Sequence, residues 1–449
     1  MLDDFLDPNV TDETKEEIIG LVSPHAGYVY SGWVTGKAYR RLIGKKYDAI
    51  IIIGPSHRAA FDGSSVFPGE GYSTPLGVAK VDVKLAKEIG SFGKGVELSM
   101  NGHSWKEEGS AEHSIEVQIP FLQVVQSGTP IVPICMGSQN NSSADNLMKA
   151  IVAAVNKTGK NVLIVASSDL SHYHSQKEAR ELDMSLIQAV NRYDYFKLAY
   201  QCFTRKWEAC GAAPIVVAMM AAEQLGATSV SPETYASSAD SPYIKMDSKK
   251  VVGYYSCIMV KNSDVSFGNL PGLNDEDKAA LLASARKGIE KGTGSDTSTG
   301  KKFVPKTLGN QFAAFVTLKK AGRLRGCMGH TFASQPLMAE VEECGRMAAS
   351  QDPRFPAVKT SELKDIDLEI TILSRYKRIF NTEEVIPGVH GVYLRLGYSS
   401  GVFLPQVATE NNWNRTEFLE NLGLKAGLDR SAYLNPDAEL YIFNAKVIH

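Results

Sequence analysis

What the sequence lacks excludes several classes of protein. Its 449 residues carry 48 Lys and Arg against 50 Asp and Glu, so no cationic excess is present to neutralise a nucleic-acid backbone. No apolar run approaches the roughly 18 residues that can span a bilayer. The amino terminus MLDDFLDPNV is acidic, whereas a secretory signal begins with positive charge. We therefore expect no nucleic-acid partner, no membrane contact and a cytoplasmic location.

The sequence also lacks cysteine pairs. Its six cysteines include no CxxC motif, which in a long chain favours free thiols over a disulfide framework. Any function of a cysteine here must therefore be individual. The six are Cys135, Cys202, Cys210, Cys257, Cys327 and Cys344.

Length and composition indicate more than one globular domain. Hydrophobic residues make up 43% of the chain and charged residues 22%, and 449 residues exceed what one core usually holds. The segment Asn262 to Asp275 is polar, contains Gly and Pro, and lacks periodicity. We therefore predict a first domain over residues 1–262 and a second over residues 273–449.

The amino-terminal half alternates short β-branched runs with helical patterns. Continuous apolar strands are typical of a sheet covered on both faces, and their alternation with helices predicts an α/β fold with a mostly parallel sheet and helices on both faces. A later run, Val251 to Val260, should complete this sheet. The earlier predicted strands are Ile18 to Val22, Ala49 to Ile53, Ile131 to Ile134 and Val162 to Ala166. The predicted helices are Val83 to Ile89, Ser143 to Val155, Ser175 to Tyr193 and Pro214 to Gln224.

The carboxyl-terminal part follows a different pattern. Asn274 should cap a helix that opens with three acidic residues, which complement the positive end of the helix dipole. Strand runs then follow at hairpin spacing, with helices between them, so the second domain should be a smaller α+β domain with antiparallel strands. The predicted hairpins pair Phe312 to Leu318 with Leu324 to Met328, and Val389 to Leu396 with Gly401 to Leu404 across a turn at residues 397–400. The predicted helices are Gln335 to Ala349 and Arg415 to Ala426.

Three predicted parallel strands are followed by histidine. His25 follows the first strand, His57 the second, and Asp169 and His172 follow a third. A single such histidine is commonly a hydrogen-bonded loop residue. Three at equivalent strand ends should meet in the crevice where open parallel sheets bind ligands, and neutral imidazoles there can bind a metal.

A third, anionic ligand is available from the segment WEACG. Cys210 directly precedes a predicted helix, where the helix dipole should lower the pKa of its thiol and prime it as ligand or nucleophile. A buried, inert cysteine is the alternative. Glu208 is the neighbouring carboxylate that could replace it.

These motifs resemble the Memo family, relatives of the LigB-type class III extradiol dioxygenases. The resemblance covers Leu21 to about Val260. The strings that carry it are PHAGYVYSG, GPSH, TPLG, EHSIEVQIPFLQ, SSDLSHY and CG with a following Pro. The family usually has an RxPAVAGxFYP-like stretch before the first histidine strand, so we expect one edge of the pocket to be built differently here.

The resemblance implies roles for the clustered residues. His25, His57 and Cys210 occupy the metal-ligand positions, with the thiol standing where dioxygenases of the superfamily carry a carboxylate. His172 matches their acid or base, and Asp169 would orient it or line the pocket. His113 of EHSIE matches a further motif histidine. Thiolate softens the site, so iron(II), copper and zinc are all expected metals.

The second domain resembles the AMMECR family. The motifs that carry this resemblance are LRGCMGHTF, QDPRFPAV and FLPQVATENNW, over residues 273–449. In bacteria and archaea such domains accompany Memo-like proteins and a radical S-adenosylmethionine (SAM) protein, which implies a radical SAM partner. The chain itself lacks the CxxxCxxC cluster motif and is not that enzyme.

The motif LRGCMGHTF places a thiol and an imidazole at the end of a predicted strand. Glycines there would let a ligand approach the backbone, and Cys327 and His330 could form a reactive pair. An anion could be held by Arg323, Arg325 or Arg354. A glycine-kinked hairpin with a buried cysteine is the structural alternative.

Three functions follow from these observations. The first is a metal-dependent redox enzyme, dioxygenase-like, in which His172 moves protons and the substrate is a small molecule or a protein. The second keeps the same ligands around zinc for a hydrolase or lyase. The third is an adaptor that binds a peptide or phosphopeptide without catalysis.

Overall fold

The computed structural model describes residues 1–6, 16–103, 112–262, 270–295, 312–331 and 335–449. The chain divides into two compact units, Met1–Ser266 and Phe267–His449. Residues 263–269 of the predicted boundary, and Phe332 of the motif LRGCMGHTF, lie outside the described residues. No helix within the described ranges is long and apolar enough to cross a membrane.

The first unit contains eleven described strands and eight described helices. The strands are β1 (Glu17–Ser23), β2 (Ala49–Pro55), β3 (Ser64–Val66), β4 (Gly71–Thr74), β5 (Gly77–Lys80), β6 (Val96–Leu98), β7 (Ile131–Met136), β8 (Val162–Ser167), β9 (His172–His174), β10 (Ser229–Ser237) and β11 (Val251–Lys261). The helices are α1 (Leu2–Leu6), α2 (Tyr28–Tyr39), α3 (Val83–Gly90), α4 (Ile119–Val125), α5 (Asn141–Thr158), α6 (Gln176–Asn191), α7 (Tyr195–Phe203) and α8 (Ala212–Gln224).

A mixed sheet with a parallel centre forms the core of this unit. Its strand order is β10-β11-β1-β8-β2-β7-β3-β6, and neighbours from β1 to β7 are parallel. Every residue of β2, β7 and β8 is buried, as expected for strands covered on both faces. This confirms the predicted α/β fold.

The outer strands run differently from the centre. β11, the predicted late strand, joins the sheet antiparallel to β1, and β10 pairs antiparallel with β11. On the other side, β3 is antiparallel to β7. β10 was missed because its sequence SVSPETYAS has no apolar run. Its Pro232 sits at a register shift, a place where a strand tolerates proline.

Helix α8 supports the sheet beneath the predicted crevice. Its residues Ala212 to Ala222 are all buried, and it packs against β1, β2 and β8. Because the helix is apolar on all sides, it is held between the sheet and the neighbouring helices α5 and α7. Its first turn therefore lies at a fixed place beside the strand ends.

The second unit has four described helices and eight described strands. The helices are α9 (Asp275–Gly292), α10 (Leu337–Ser350), α11 (Pro405–Glu410) and α12 (Arg415–Lys425). The strands are β12 (Ala313–Lys320), β13 (Arg323–Gly329), β14 (Ile366–Leu373), β15 (Lys377–Ile379), β16 (Gly391–Leu396), β17 (Ser399–Phe403), β18 (Glu439–Phe443) and β19 (Ala445–Ile448).

Two antiparallel sheets organise the second unit. One has the order β13-β12-β14-β19 and packs against α9 and α10, and the other has the order β15-β18-β16-β17 and packs against α12. This confirms the predicted α+β fold, and Asn274 caps α9 as predicted. The predicted four-residue turn at 397–400 is wrong. Gly397 and Tyr398 make a two-residue turn, and Ser399 and Ser400 already pair with β16.

Candidate metal centre

The ends of three adjacent strands bring the predicted residues together. β1, β8 and β2 are neighbours and parallel, so the loops after them leave the same edge of the sheet. His25 and His57 each lie two residues beyond their strand, and Asp169 lies two residues beyond β8. The rings of His25 and His57 are 5.2 Å apart between centroids.

Cys210 completes a group of three donors. Donor atoms of His25, His57 and Cys210 all lie within 4.8 Å of one another. Nε2 of His25 is 3.2 Å from Sγ of Cys210. Nitrogen and sulfur ligands bound at about 2.0 and 2.3 Å in a tetrahedron stand about 3.5 Å apart, so this spacing fits one metal ion.

The ring of His25 is oriented by Ser167. Nδ1 of His25 is 2.8 Å from Oγ of Ser167, and that hydroxyl donates its proton to the carbonyl of Ser114. Gln118 also donates its amide N–H to the same oxygen. Since the hydroxyl has a single proton, it accepts from Nδ1–H of His25. Nε2 of His25 therefore carries the lone pair, which faces Cys210.

The ring of His57 is oriented by a carboxylate. Nδ1 of His57 lies 2.9 Å from Oε1 of Glu112, and the backbone N–H of His57 donates to Oε2 at 2.5 Å. Burial would raise the pKa of Glu112, but hydrogen bonds from His57 and Ser114 outweigh it and lower the pKa to about 2. The ionised carboxylate therefore holds the proton of His57 on Nδ1 and leaves Nε2 as the ligand atom.

The environment of Cys210 opposes one expectation from the sequence. Burial, and then the charge of Asp169, raise the pKa of its thiol, whereas its place before α8 predicted a lowered pKa. Desolvation outweighs the helix dipole at this position. Asp169 donates its backbone N–H to the sulfur at 3.2 Å. A bound cation would offset the desolvation, because a coordinating thiol loses its proton.

Glu208, the alternative third ligand, has other partners. Its carboxylate pairs with Nε2 of His174 at 2.9 Å and accepts the backbone N–H of His172 at 3.5 Å. The group of donors includes Cys210 and not Glu208. The geometry thus favours the thiol.

The predicted acid and base residues surround the donors. Oδ1 of Asp169 accepts the backbone N–H of His25 at 2.8 Å, and burial raises the pKa of this carboxyl. Burial, and then the charges of His57 and His113, lower the pKa of His25, and His172, at the start of β9, adds a smaller lowering. The ring of His113 stacks on that of His57, with centroids 5.0 Å apart.

Sequence reasoning missed the residues that orient the two rings. Glu112 precedes His113 in the motif EHSIE, and an acid beside a predicted site histidine was an available signal. Ser167 and Gln118 lie within the motifs SSDLSHY and EHSIEVQIPFLQ, but serine and glutamine are common in strands and turns, so their residue types alone indicated no role. Their contacts join residues 142 and 49 positions apart.

Four of the five candidate residues of the second unit have a hydrogen-bond or ion-pair partner. Arg325 pairs with Glu362 at 3.1 Å and Arg354 with Asp352 at 2.7 Å. His330 bonds Glu340 through Nδ1 at 2.5 Å. Cys327 accepts a hydrogen bond from Oγ1 of Thr317 at 3.3 Å. Arg323 is exposed at the start of β13. The reactive pair of Cys327 and His330 stays a prediction.

Comparisons with known proteins identify both parts of the chain. Residues 1–258 match the family described as Memo-like protein, and residues 282–448 match the family described as AMMECR1. A MEMO1 family protein from Methanosarcina mazei is 35% identical over 246 residues, which cover 55% of this chain and 87% of that protein. Another from Thermotoga neapolitana is 34% identical over 259 residues, which cover 56% and 86%.

Similar proteins were also found among solved structures. One is PH0010 from Pyrococcus horikoshii, described as uncharacterised, which is 30% identical with a TM-score of 0.37, and the match covers 39% of this chain and 92% of that one. The family matches carry the assignment. The chain belongs to the Memo-like protein family and continues into an AMMECR1 domain.

Proposed function

We propose that the first unit is a metal-dependent redox enzyme of dioxygenase-like type, acting in the cytoplasm. The observation that carries the proposal is the spacing of the three donors together with the hydrogen bonds that fix both rings. Each histidine has its Nδ1 proton bound to an acceptor, so each Nε2 is free to bind a cation.

The donor set fits iron(II) or copper. Two imidazoles and one thiolate leave coordination positions open, and such a metal would supply one-electron chemistry at a substrate bound there. The protein groups would then hold and move protons. His172 is the proposed acid or base, Asp169 holds the backbone of His25 and lines the site, and His113 borders the second ring.

Metal content tests the proposal. The full chain is purified anaerobically and its metals are measured by inductively coupled plasma mass spectrometry. We expect near-stoichiometric iron or copper in the wild type and its loss in His25→Ala, His57→Ala and Cys210→Ser. His174→Ala and Cys202→Ser are matched controls, because His174 pairs with Glu208 and Cys202 is buried in α7.

Cobalt(II) provides a readout that is independent of activity. A thiolate bound to cobalt(II) gives a charge-transfer absorption, which should be present in the wild type and absent from Cys210→Ser. Retention of the band in Cys210→Ser would exclude Cys210 as the ligand. Loss of the band in Cys202→Ser as well would show that the change is not local.

The outcome also separates the alternative functions. Zinc at full occupancy, with no oxygen uptake, would favour a hydrolase or lyase that uses the same ligands. A folded wild type that binds no metal after reconstitution would contradict the enzyme proposal. It would leave the pocket as a binding module for a peptide or phosphopeptide.

We further propose that the chain works with a radical SAM protein on a small-molecule or protein substrate. The support is the fusion of a Memo-like region with an AMMECR1 domain in one chain. Co-purification of the chain with a radical SAM protein encoded in the same genome tests this. Independent elution of the two proteins at micromolar concentration, with and without S-adenosylmethionine, would contradict it.

A further inference from the structure

Another group of metal-binding side-chain types lies in the second unit, around the carboxylate of Glu340. Donor atoms of His330, Glu340 and Cys344 all lie within 4.8 Å of one another. Nδ1 of His330 is 2.5 Å from Oε1 of Glu340, and Sγ of Cys344 is 3.9 Å from the same oxygen. An imidazole, a carboxylate and a thiol therefore converge on one place.

Two regular elements hold these donors. Glu340 and Cys344 are one turn apart on α10, so they share one face of the helix, which packs against β12 and β13. His330 directly follows β13, and its backbone N–H donates to the carbonyl of Ala314 on β12 at 3.1 Å. The thiol of Cys344 donates to the same carbonyl at 3.3 Å. The end of the strand and the helix thus meet at the three donors.

Gly329 allows the close approach that places the imidazole. A Cβ at this position would lie 2.4 Å from the carbonyl oxygen of Ala314, so a larger residue would push β13 away from β12. The glycine therefore brings His330 to the first turn of α10, where Glu340 lies.

The group combines full burial with one open side. Glu340 and Cys344 are completely buried, whereas 38% of the His330 side chain is exposed. A fully buried carboxylate needs a positive partner, which is either a side chain or a metal ion. The carboxylate and a thiolate together carry two negative charges, which one divalent cation would neutralise. The exposed side of the imidazole gives that cation a way in.

We propose that His330, Glu340 and Cys344 bind a divalent cation, and that zinc fits these ligands best. Zinc in proteins binds imidazole nitrogen, carboxylate oxygen and thiolate sulfur, and a water molecule would complete the tetrahedron. Ligands about 2.0 Å from zinc stand about 3.3 Å apart, so Nδ1 of His330 and Oε1 of Glu340 separate by about 0.8 Å when the cation replaces the proton between them. The thiol proton passes to solvent.

Such a cation would tie the strand end that carries the motif LRGCMGHTF to α10. It would stabilise the second unit, as structural zinc stabilises other small domains. All three ligands belong to the second unit, so this site is independent of the proposed redox centre.

A cobalt(II) titration of the full chain tests this site. The chain carries His57→Ala and Cys210→Ser, which remove two of the three donors of the first centre, so a thiolate-to-cobalt absorption reports on the second unit. We expect this band to saturate at one equivalent of cobalt(II) and to disappear when zinc displaces the cobalt. Zinc should also raise the unfolding temperature, because a cation that binds only the folded state stabilises it.

Variants of this starting protein assign the ligands. Cys344→Ser should abolish the band, and Glu340→Gln should weaken cobalt(II) binding. His330→Ala should also weaken binding, and because this side chain is partly exposed the change should leave the core intact. His330→Cys should strengthen the band, because a second thiolate would then bind the cobalt.

Cys327→Ser and His390→Ala are the matched controls, because each removes a donor of the same type from the same unit. Cys327 accepts a hydrogen bond from Oγ1 of Thr317, and Nδ1 of His390 accepts the backbone N–H of Ile386. Both variants should keep the band and the affinity of the starting protein.

Three results would overturn the site. They are a folded starting protein without a band in excess cobalt(II), a band that survives in Cys344→Ser, and a band that is lost equally in Cys327→Ser. Circular dichroism checks the fold of each variant. If Cys344→Ser or Glu340→Gln does not fold, an unchanged band in both His330→Ala and His330→Cys excludes the site. Since the starting protein lacks the first centre, none of these results bears on the proposed redox function.

Discussion

The sharpest test of the metal centre is a change that leaves all three ligands in place. Glu112→Gln alters only the carboxylate that orients His57. Oε1 of Glu112 accepts from Nδ1 of His57 and from the backbone N–H groups of His113 and Ser114, and Oε2 accepts the backbone N–H of His57. Four donors thus converge on two oxygens.

Glutamine cannot satisfy this arrangement. Its amide oxygen can replace Oε1, but its NH₂ group then faces the backbone N–H of His57, and two donors oppose each other where 2.5 Å now separates donor and acceptor. Loss of a hydrogen bond to a charged group costs about 1.5 to 3 kcal/mol. Since the same carboxylate fixes the ring, we expect metal affinity to fall by about 10- to 100-fold, as for other partners of metal-bound histidines.

The assay is a competition titration against a coloured chelator, with cobalt(II) or zinc and the full chain. Glu116→Gln is the matched control, because Glu116 lies four residues along the same segment and is half-buried. It should bind as the wild type does. A folded Glu112→Gln protein with wild-type affinity would refute the reasoning, and equal losses in both variants would show that the effect is not specific to His57.

Three further predictions follow from single contacts. Ser167→Ala removes the acceptor of the first ligand ring, so the same titration should show an affinity loss of about 10-fold, and an unchanged affinity would contradict the assigned tautomer. Gly253→Ala places a Cβ 1.9 Å from Oδ2 of Asp183, so denaturant unfolding should show that the free energy of unfolding falls by about 1 to 3 kcal/mol. An unchanged free energy of unfolding would show that Asp183 can move aside. The pKa of Asp352 falls from 3.8 to about 2 on folding, so its carboxylate stabilises the fold above about pH 4 and this contribution is lost as the pH falls through 2. The stability difference between wild type and Asp352→Asn should therefore shrink from pH 5 to pH 2, and a constant difference would contradict it.

The sequence predicted the centre of the fold well because that centre is apolar and local. The run Ala49 to Ile53 needed burial on both faces, and the observed strand continues to Pro55 because the parallel pairing with β7 continues through Gly54 and Pro55. The direction of the outer strands of the sheet could not be predicted from apolar runs. Val251 to Val260 has the composition of a central strand, and only its neighbours decide that it runs antiparallel.

The candidate site was likewise predicted only in part from the sequence. Histidines after strand ends could be placed together because parallel strands bring their carboxyl ends to one edge. The predicted direction of the pKa shift of Cys210 was wrong. A helix terminus contributes about 0.3 to 2 kcal/mol, whereas full burial can shift a pKa by 3 to 5 units, which is about 4 to 7 kcal/mol. Burial is a tertiary property that the segment WEACG does not reveal.

The two ligand rings have different hydrogen-bond partners. This difference predicts which partner variant lowers metal affinity more. The partner of His25 is a neutral hydroxyl, and the partner of His57 is an ionised carboxylate whose pKa is about 2. Charge-assisted hydrogen bonds are about twice as strong as neutral ones, and the carboxylate also makes the imidazole a stronger donor to a cation. Glu112→Gln should therefore lower metal affinity more than Ser167→Ala does. The reverse order would mean that ring orientation at His25, and not the charge behind His57, governs binding.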